Sequence, residues 1–167
     1  MGDHGLMMKG WIPYRGVQQV PYVIAQPGRS PGCSDALVSS LDFAPTLLEL
    51  AGLTGHIGLQ GRSVVPALAD PTAAVHEAVL IEDDAPPILA KFLRNPAKIR
   101  TAILADGTKY TRCDTREEQL FDLVADPDEV HPLLDDDRRR RIAVEALGDL
   151  LLDAADVATG QAVAAPA

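Results

Sequence analysis

The apolar residues of the chain change their spacing near residue 75. Before that point, VPYVIA (Val20 to Ala25) is a short run rich in β-branched residues, apolar on both faces and closed by Gln26-Pro27-Gly28. That pattern predicts a strand buried on both sides, as in an α/β sheet. The stretch ahead of it holds Gly2, Gly5, Gly10, Pro13 and Gly16 with little periodicity, which predicts an extended loop. In DFAPTLLELAG, Asp42 stands where a cap belongs and Pro45 sits in the first turn. Leu47, Leu48, Leu50 and Ala51 then form an apolar face and Gly52 supplies the stop, so a helix of about ten residues that packs against something is expected. GLQGRSVVPALADP reads as a loop with one helical turn.

Beyond residue 75 the period shortens. EAVLIE (Glu77 to Glu82), KIRTAILA (Lys98 to Ala105), TKYTRC (Thr108 to Cys113) and EQLFDLV (Glu118 to Val124) predict strands. Asp106-Gly107 predicts a two-residue hairpin turn with positive φ at both positions, and strands joined by tight turns pair antiparallel. A final helix is expected to start near Asp135, to run through Ile142, Leu147, Leu150, Leu151 and Ala154, and to cover one face of the sheet. The expected organisation is therefore residues 1–75, the end of a larger α/β domain, then 76–157, a small α+β subdomain, and a disordered tail at 158–167. One strand and one helix are too few to close a sheet, so the first part should be the less ordered, with its apolar strand edge open to self-association.

Composition narrows the function. With 47% apolar and 23% charged residues the chain has the balance of a globular domain, and its net charge of −9 argues against a nucleic-acid partner. The one basic run, Arg138 to Arg141, follows Asp135 to Asp137 and reads as a solvated helix start. No apolar run approaches the ~18 residues of a membrane span. Cys33 and Cys113 lie in no CxxC arrangement, and spacing alone leaves their redox state open. The four histidines, His4, His56, His76 and His131, lack ligand spacing. Asp3 and His4, taken alone, are better explained by hydrogen bonds within their own loop than by a metal site. There is no GxSxG, P-loop or GxGxxG.

The order of segments carries more. GDHGLMMKGWIPYRGVQQVPYVIAQPG, SSLDFAPTLLELAG, GLQGRSVVPAL and LFDLVADPDE follow one another over residues 2 to 134. Together they resemble the C-terminal portion of sulfatases, in the alkaline phosphatase superfamily. The matching family patterns are G-D-H-G-L-x-x-K-G, the D-x-x-P-T helix ending in A-G, the G-x-S-L-x-P-L loop and the L-Y-D-L-x-x-D-P-x-E segment. The resemblance implies an alkaline-phosphatase-like α/β fold. It implies that Lys9 is a catalytic, sulfate-contacting lysine, with His4 and Tyr14 as weaker substrate-binding candidates. GDHG would be a look-alike copy of the metal-binding motif, so no metal ligand and no cofactor is assigned to these residues. Calcium, or another divalent cation, and a formylglycine nucleophile belong to the full-length family.

Departures from the pattern are Gln19 where the family has Arg before Val-Pro, and Val130-His131-Pro132 where it has Asn-Leu. Asp126, Pro127 and Glu129 are expected to shape a turn rather than to catalyse. Neither Cys33 nor Cys113 lies in the C-x-P-S-R context of the family's nucleophile. The expectation is a C-terminal fragment of a sulfuric ester hydrolase, inactive alone, with Met1 a break in a longer protein. Its substrate in the full-length enzyme would be a sulfate-ester small molecule or glycan. A phosphodiester or phosphonate hydrolase fragment and a non-catalytic interaction module are the alternatives, and the compartment stays open between cytoplasmic and periplasmic.

Overall fold

A computed structural model describes residues 13–28, 30–53, 58–85 and 98–158. The alternating segments of the second half pair in chain order. β1 (Ala78–Asp84), β2 (Lys98–Leu104), β3 (Thr108–Cys113) and β4 (Glu118–Asp122) form an antiparallel sheet ordered β1-β2-β3-β4. The register aligns Leu80, Ala102, Tyr110 and Leu120 in one row across it. On the opposite face Val79, Ile103, Lys109 and Phe121 make a second row. The β2–β3 turn differs from expectation. Its loop is Ala105 to Gly107, and of Asp106 and Gly107 only the glycine has positive φ, +85°. Asp106 instead accepts a hydrogen bond from the Thr108 N–H at 2.8 Å, so the turn is a three-residue type with glycine as the left-handed residue.

The final helix, α4 (Asp137–Ala158), covers the first row. Ala143 and Leu147 pack on Ala102, Tyr110 and Leu120, with Leu133, Leu150 and Leu151 at the margin. The Asp136 side chain accepts from the Arg139 N–H at 3.0 Å, which makes it the cap, and the helix starts at Asp137, just past the expected Asp135. Two arginines on the first turn fix the helix to β4: Arg139 to Asp122 at 2.7 Å and Arg140 to Glu118 at 2.5 Å. The basic run is thus partly spent on an internal join.

The first half departs further from its pattern. VPYVIA is extended but is no buried strand: Tyr22 and Ile24 pack on Val64, Ala67 and Val75, while Val20 and Val23 are 61% and 85% exposed. Only alternate side chains are covered, because that segment lies on a small side-chain cluster rather than between two layers. Within the expected loop, Arg15–Gln18 form one helical turn, α1. The central helix, α2, spans Phe43–Leu50, and Gly52 ends it with φ +72° as expected. Its cap is not Asp42. A 3-10 turn at Ser40–Asp42 precedes α2, so Asp42 already has helical backbone and its carboxylate points back to the Ser39 N–H. On α2 only Thr46 is buried, and Phe43 and Leu47 are 56% and 48% exposed. α3 (Val65–Ala69) is the expected helical turn.

Candidate functional site

Lys109 lies in the middle of β3 with a side chain 1% exposed, on a row whose other members are apolar. A buried ammonium must be paired, and here it donates to the carboxylate of Glu129 and to the carbonyl oxygen of Pro13. The second Glu129 oxygen accepts the Arg15 N–H at 2.6 Å. The Tyr14 ring completes the arrangement, its centroid 5.7 Å from Nζ, within cation–π range. Three stretches far apart in sequence therefore meet on one ion pair: residues 13–15, β3 and the turn after β4.

Local chemistry explains how Glu129 gets there. Asp122 and Asp126 organise the turn, the first accepting from the Val124 and Ala125 N–H groups, the second from those of Val130 and His131. Glu129 closes it in the left-handed region, φ +54°, which a non-glycine residue adopts at a cost and holds only where its surroundings require it. Its backbone geometry is what turns the carboxylate under the sheet instead of out to water. Burial pushes the Lys109 ammonium below its ordinary pKa, while hydrogen bonding and charge from Glu129 oppose that; burial prevails.

A second polar centre lies in the first half. Asp42, fully buried, accepts from the Ser39 and Arg62 N–H groups at 2.7 and 2.8 Å, and His76 Nε2 lies 2.9 Å from both carboxylate oxygens. A carboxylate that only accepts makes Nε2 the N–H of the imidazole. Thr46 extends the network, donating to the Asp42 carbonyl at 2.6 Å and accepting from Val64 N–H at 2.9 Å. With its hydrogen bonds all directed inward, this is a join between the 3-10 turn, α2 and the chain leading to β1.

Of the residues singled out by sequence, Lys9 and His4 lie outside the described residues, as does His56. Tyr14 is described, and it borders Lys109. Asp126 and Glu129 are brought to the site as turn residues, and Glu129 reaches beyond the turn to Arg15. Lys109 was missed. The available signal was a lysine at a strand centre whose neighbour Tyr110 faces the other side, leaving the charge on a face with no reason to be wet. His131 is exposed, as is Cys33, and Cys113 is partly buried, both cysteines free thiols. Among the described residues no three His, Cys, Asp or Glu side chains are grouped so as to hold a metal ion, and no helix is long and apolar enough to cross a membrane.

Comparison with known proteins agrees with this architecture. Residues 2–84 match the family described as N-sulphoglucosamine sulphohydrolase, C-terminal. A choline-sulfatase from Rhizobium meliloti is 35% identical over 142 residues, 83% of this chain and 25% of the relative. Arylsulfatase K from Xenopus laevis is 32% identical over 129 residues, 70% of this chain and 23% of the relative. A crystal structure from Bacteroides thetaiotaomicron assigned to the sulfatases superposes with a TM-score of 0.73 at 25% identity, covering 95% of this chain and 33% of that one. The chain thus spans about a quarter of the length of the curated relatives it matches. Fold, segment order and similarity together make the chain a member of the sulfatase family, in the alkaline phosphatase superfamily, corresponding to its C-terminal portion.

Proposed function

We propose that these residues form the C-terminal part of a sulfatase-type hydrolase that cleaves a sulfate ester of a small molecule or glycan, and that Lys9 supplies the cation facing the sulfate. The observation that carries the reading is the unbroken order of four family segments over residues 2 to 134, the first of which holds Lys9 within GDHGLMMKG. A fixed ammonium beside the transferring group offsets negative charge that grows on the sulfate and leaving oxygen in the transition state. In the family a formylglycine nucleophile and a divalent cation complete the chemistry, but neither cysteine here has the required context and the described residues offer no metal cluster. No step through those groups is assigned to this chain. Lys9 alone turns nothing over, because catalytic parts that act as a unit lose their effect together.

The test has two parts. The 167-residue chain is expected to release no sulfate from an aryl sulfate above the level of its Lys9→Ala variant. In a catalytically competent polypeptide that contains these residues and a nucleophile-bearing segment, Lys9→Ala is expected to lower kcat/KM by about 10²- to 10³-fold. Sulfate release by the 167-residue chain itself would overturn the first expectation. A neutral Lys9→Ala in the competent polypeptide would overturn the role of Lys9.

A further inference from the structure

We infer that Pro13 to Gln19 form a strap that opens and closes as a unit over the Lys109–Glu129 pair while the sheet beneath stays folded. The strap lies directly on the pair. The Pro13 carbonyl oxygen accepts from Lys109 Nζ, the Arg15 N–H donates to Glu129 Oε2 at 2.6 Å, and the centroid of the Tyr14 ring is 5.7 Å from Nζ. Beneath these contacts the Lys109 side chain is 1% exposed. The strap also carries its own internal bonds. The Val17 and Gln18 N–H groups donate to the Tyr14 carbonyl, the Gln19 N–H to that of Arg15, and the Arg15 guanidinium to the Gln19 side chain. A segment whose bonds are mostly local can leave and return whole, as a cooperative unit of low stability.

Three features favour opening. α1 buries no side chain, so lifting it gives up little apolar contact. Gln18 Nε2 is buried without a hydrogen-bond partner among the described residues, a penalty that water removes once the strap is raised. The ion pair loses its hydration while covered and regains it on opening, so the closed state holds less net advantage than its hydrogen bonds suggest. The sheet does not share this weakness. Its core lies on the other face, where Ala143 and Leu147 cover Ala102, Tyr110 and Leu120, and lifting the strap leaves that packing intact.

The 167-residue chain tests this through the two groups that the strap covers, the Lys109 amine and the Arg15 amide. Acetylation of Lys109 by acetic anhydride is followed by mass spectrometry, with the exposed Lys98 as the freely reacting reference. Hydrogen exchange is read at Arg15 and at the β2 and β3 amides over the same series of low urea concentrations. Lys109 is expected to react at least about tenfold slower than Lys98, and the slowing should match the protection of the Arg15 amide within about threefold. Neither should change with low urea, whereas the β2 and β3 amides should be at least about tenfold better protected and should quicken steeply as urea rises. Glu129→Gln keeps the length but strands the ammonium, and is expected to quicken both Lys109 acetylation and Arg15 exchange at least about tenfold. If that variant loses the sheet, Tyr14→Ala, a change in the strap itself, is expected to quicken both severalfold with the β2 and β3 amides unmoved. Acetylation of Lys109 as fast as that of Lys98 would show that nothing covers it and overturn the strap. So would Lys109 acetylation or Arg15 exchange that follows the β3 amides with urea, or rates at the two groups that move independently.

Discussion

Asp42 is the residue whose removal the structure makes most costly in the first half. Its carboxylate accepts two backbone N–H groups, from Ser39 at 2.7 Å and Arg62 at 2.8 Å, and the imidazole of His76 at 2.9 Å. Asp42→Ala leaves these donors without a partner at a fully buried position. Each lost bond to a charged acceptor is worth about 1.5–3 kcal/mol in full. Ser39, Arg62 and His76 lie close enough to the surface for water to recover part of it, so about 3 kcal/mol is expected overall. Asp42→Asn should cost about half as much, since one oxygen remains to accept while the new amide faces a donor. Urea unfolding at neutral pH measures both. Hydrogen exchange should place the loss at Val64, Ala67 and Val75, the cluster this network borders, and spare Ala102 and Tyr110 beneath α4. A loss below about 1 kcal/mol for Asp42→Ala, or an Asp42→Asn cost equal to that of alanine, would refute the reasoning.

The remaining two predictions concern backbone space and acid. A Cβ at Gly61 would lie 2.0 Å from the Leu41 carbonyl oxygen and 2.3 Å from its carbon, so Gly61→Ala must move backbone and is expected to cost about 3 kcal/mol in thermal melts. A change within 0.5 kcal/mol would show that the loop relaxes freely. Hydrogen bonding from Arg139 and Arg140 holds the Asp122 and Glu118 carboxyls below their ordinary range. A depressed carboxyl pKa contributes stability above the unfolded value and loses it as pH falls through the folded one, so α4 should loosen from the sheet below about pH 4. Arg139→Ala with Arg140→Ala should flatten that acid-dependent drop in melting temperature, and an undiminished drop would assign it to other groups.

Much of the second half was legible because both its elements and its partners are local. Tight turns let TKYTRC and EQLFDLV choose neighbours a few residues away, and the helix covering them announced itself by Leu147, Leu150 and Leu151. The hairpin turn was misread by one residue because Asp106-Gly107 fits two turn types, and the flanking register decides between them. The site was legible unevenly. Sequence order pointed to Lys9, and to Glu129 as a turn residue, but TKYT marks Lys109 only by its alternation with Tyr110 and says nothing of the partners that bury it. Its partners are 20 and 96 residues away.

The sequence by itself determined the elements whose cause is short-range: the strands, the stop at Gly52, the helical turn after Val64, and the ordered segments that place the chain among sulfatases. The tertiary structure decided what depends on distant neighbours. It exposed one face of VPYVIA, turned Asp42 from a helix cap into the acceptor for Arg62 and His76, and buried Lys109 against Glu129 and Pro13. The physical reason is the same in each case. Propensity and period act over a few residues, whereas burial, and with it the need for every buried charge to find a partner, is a property of the whole packed chain.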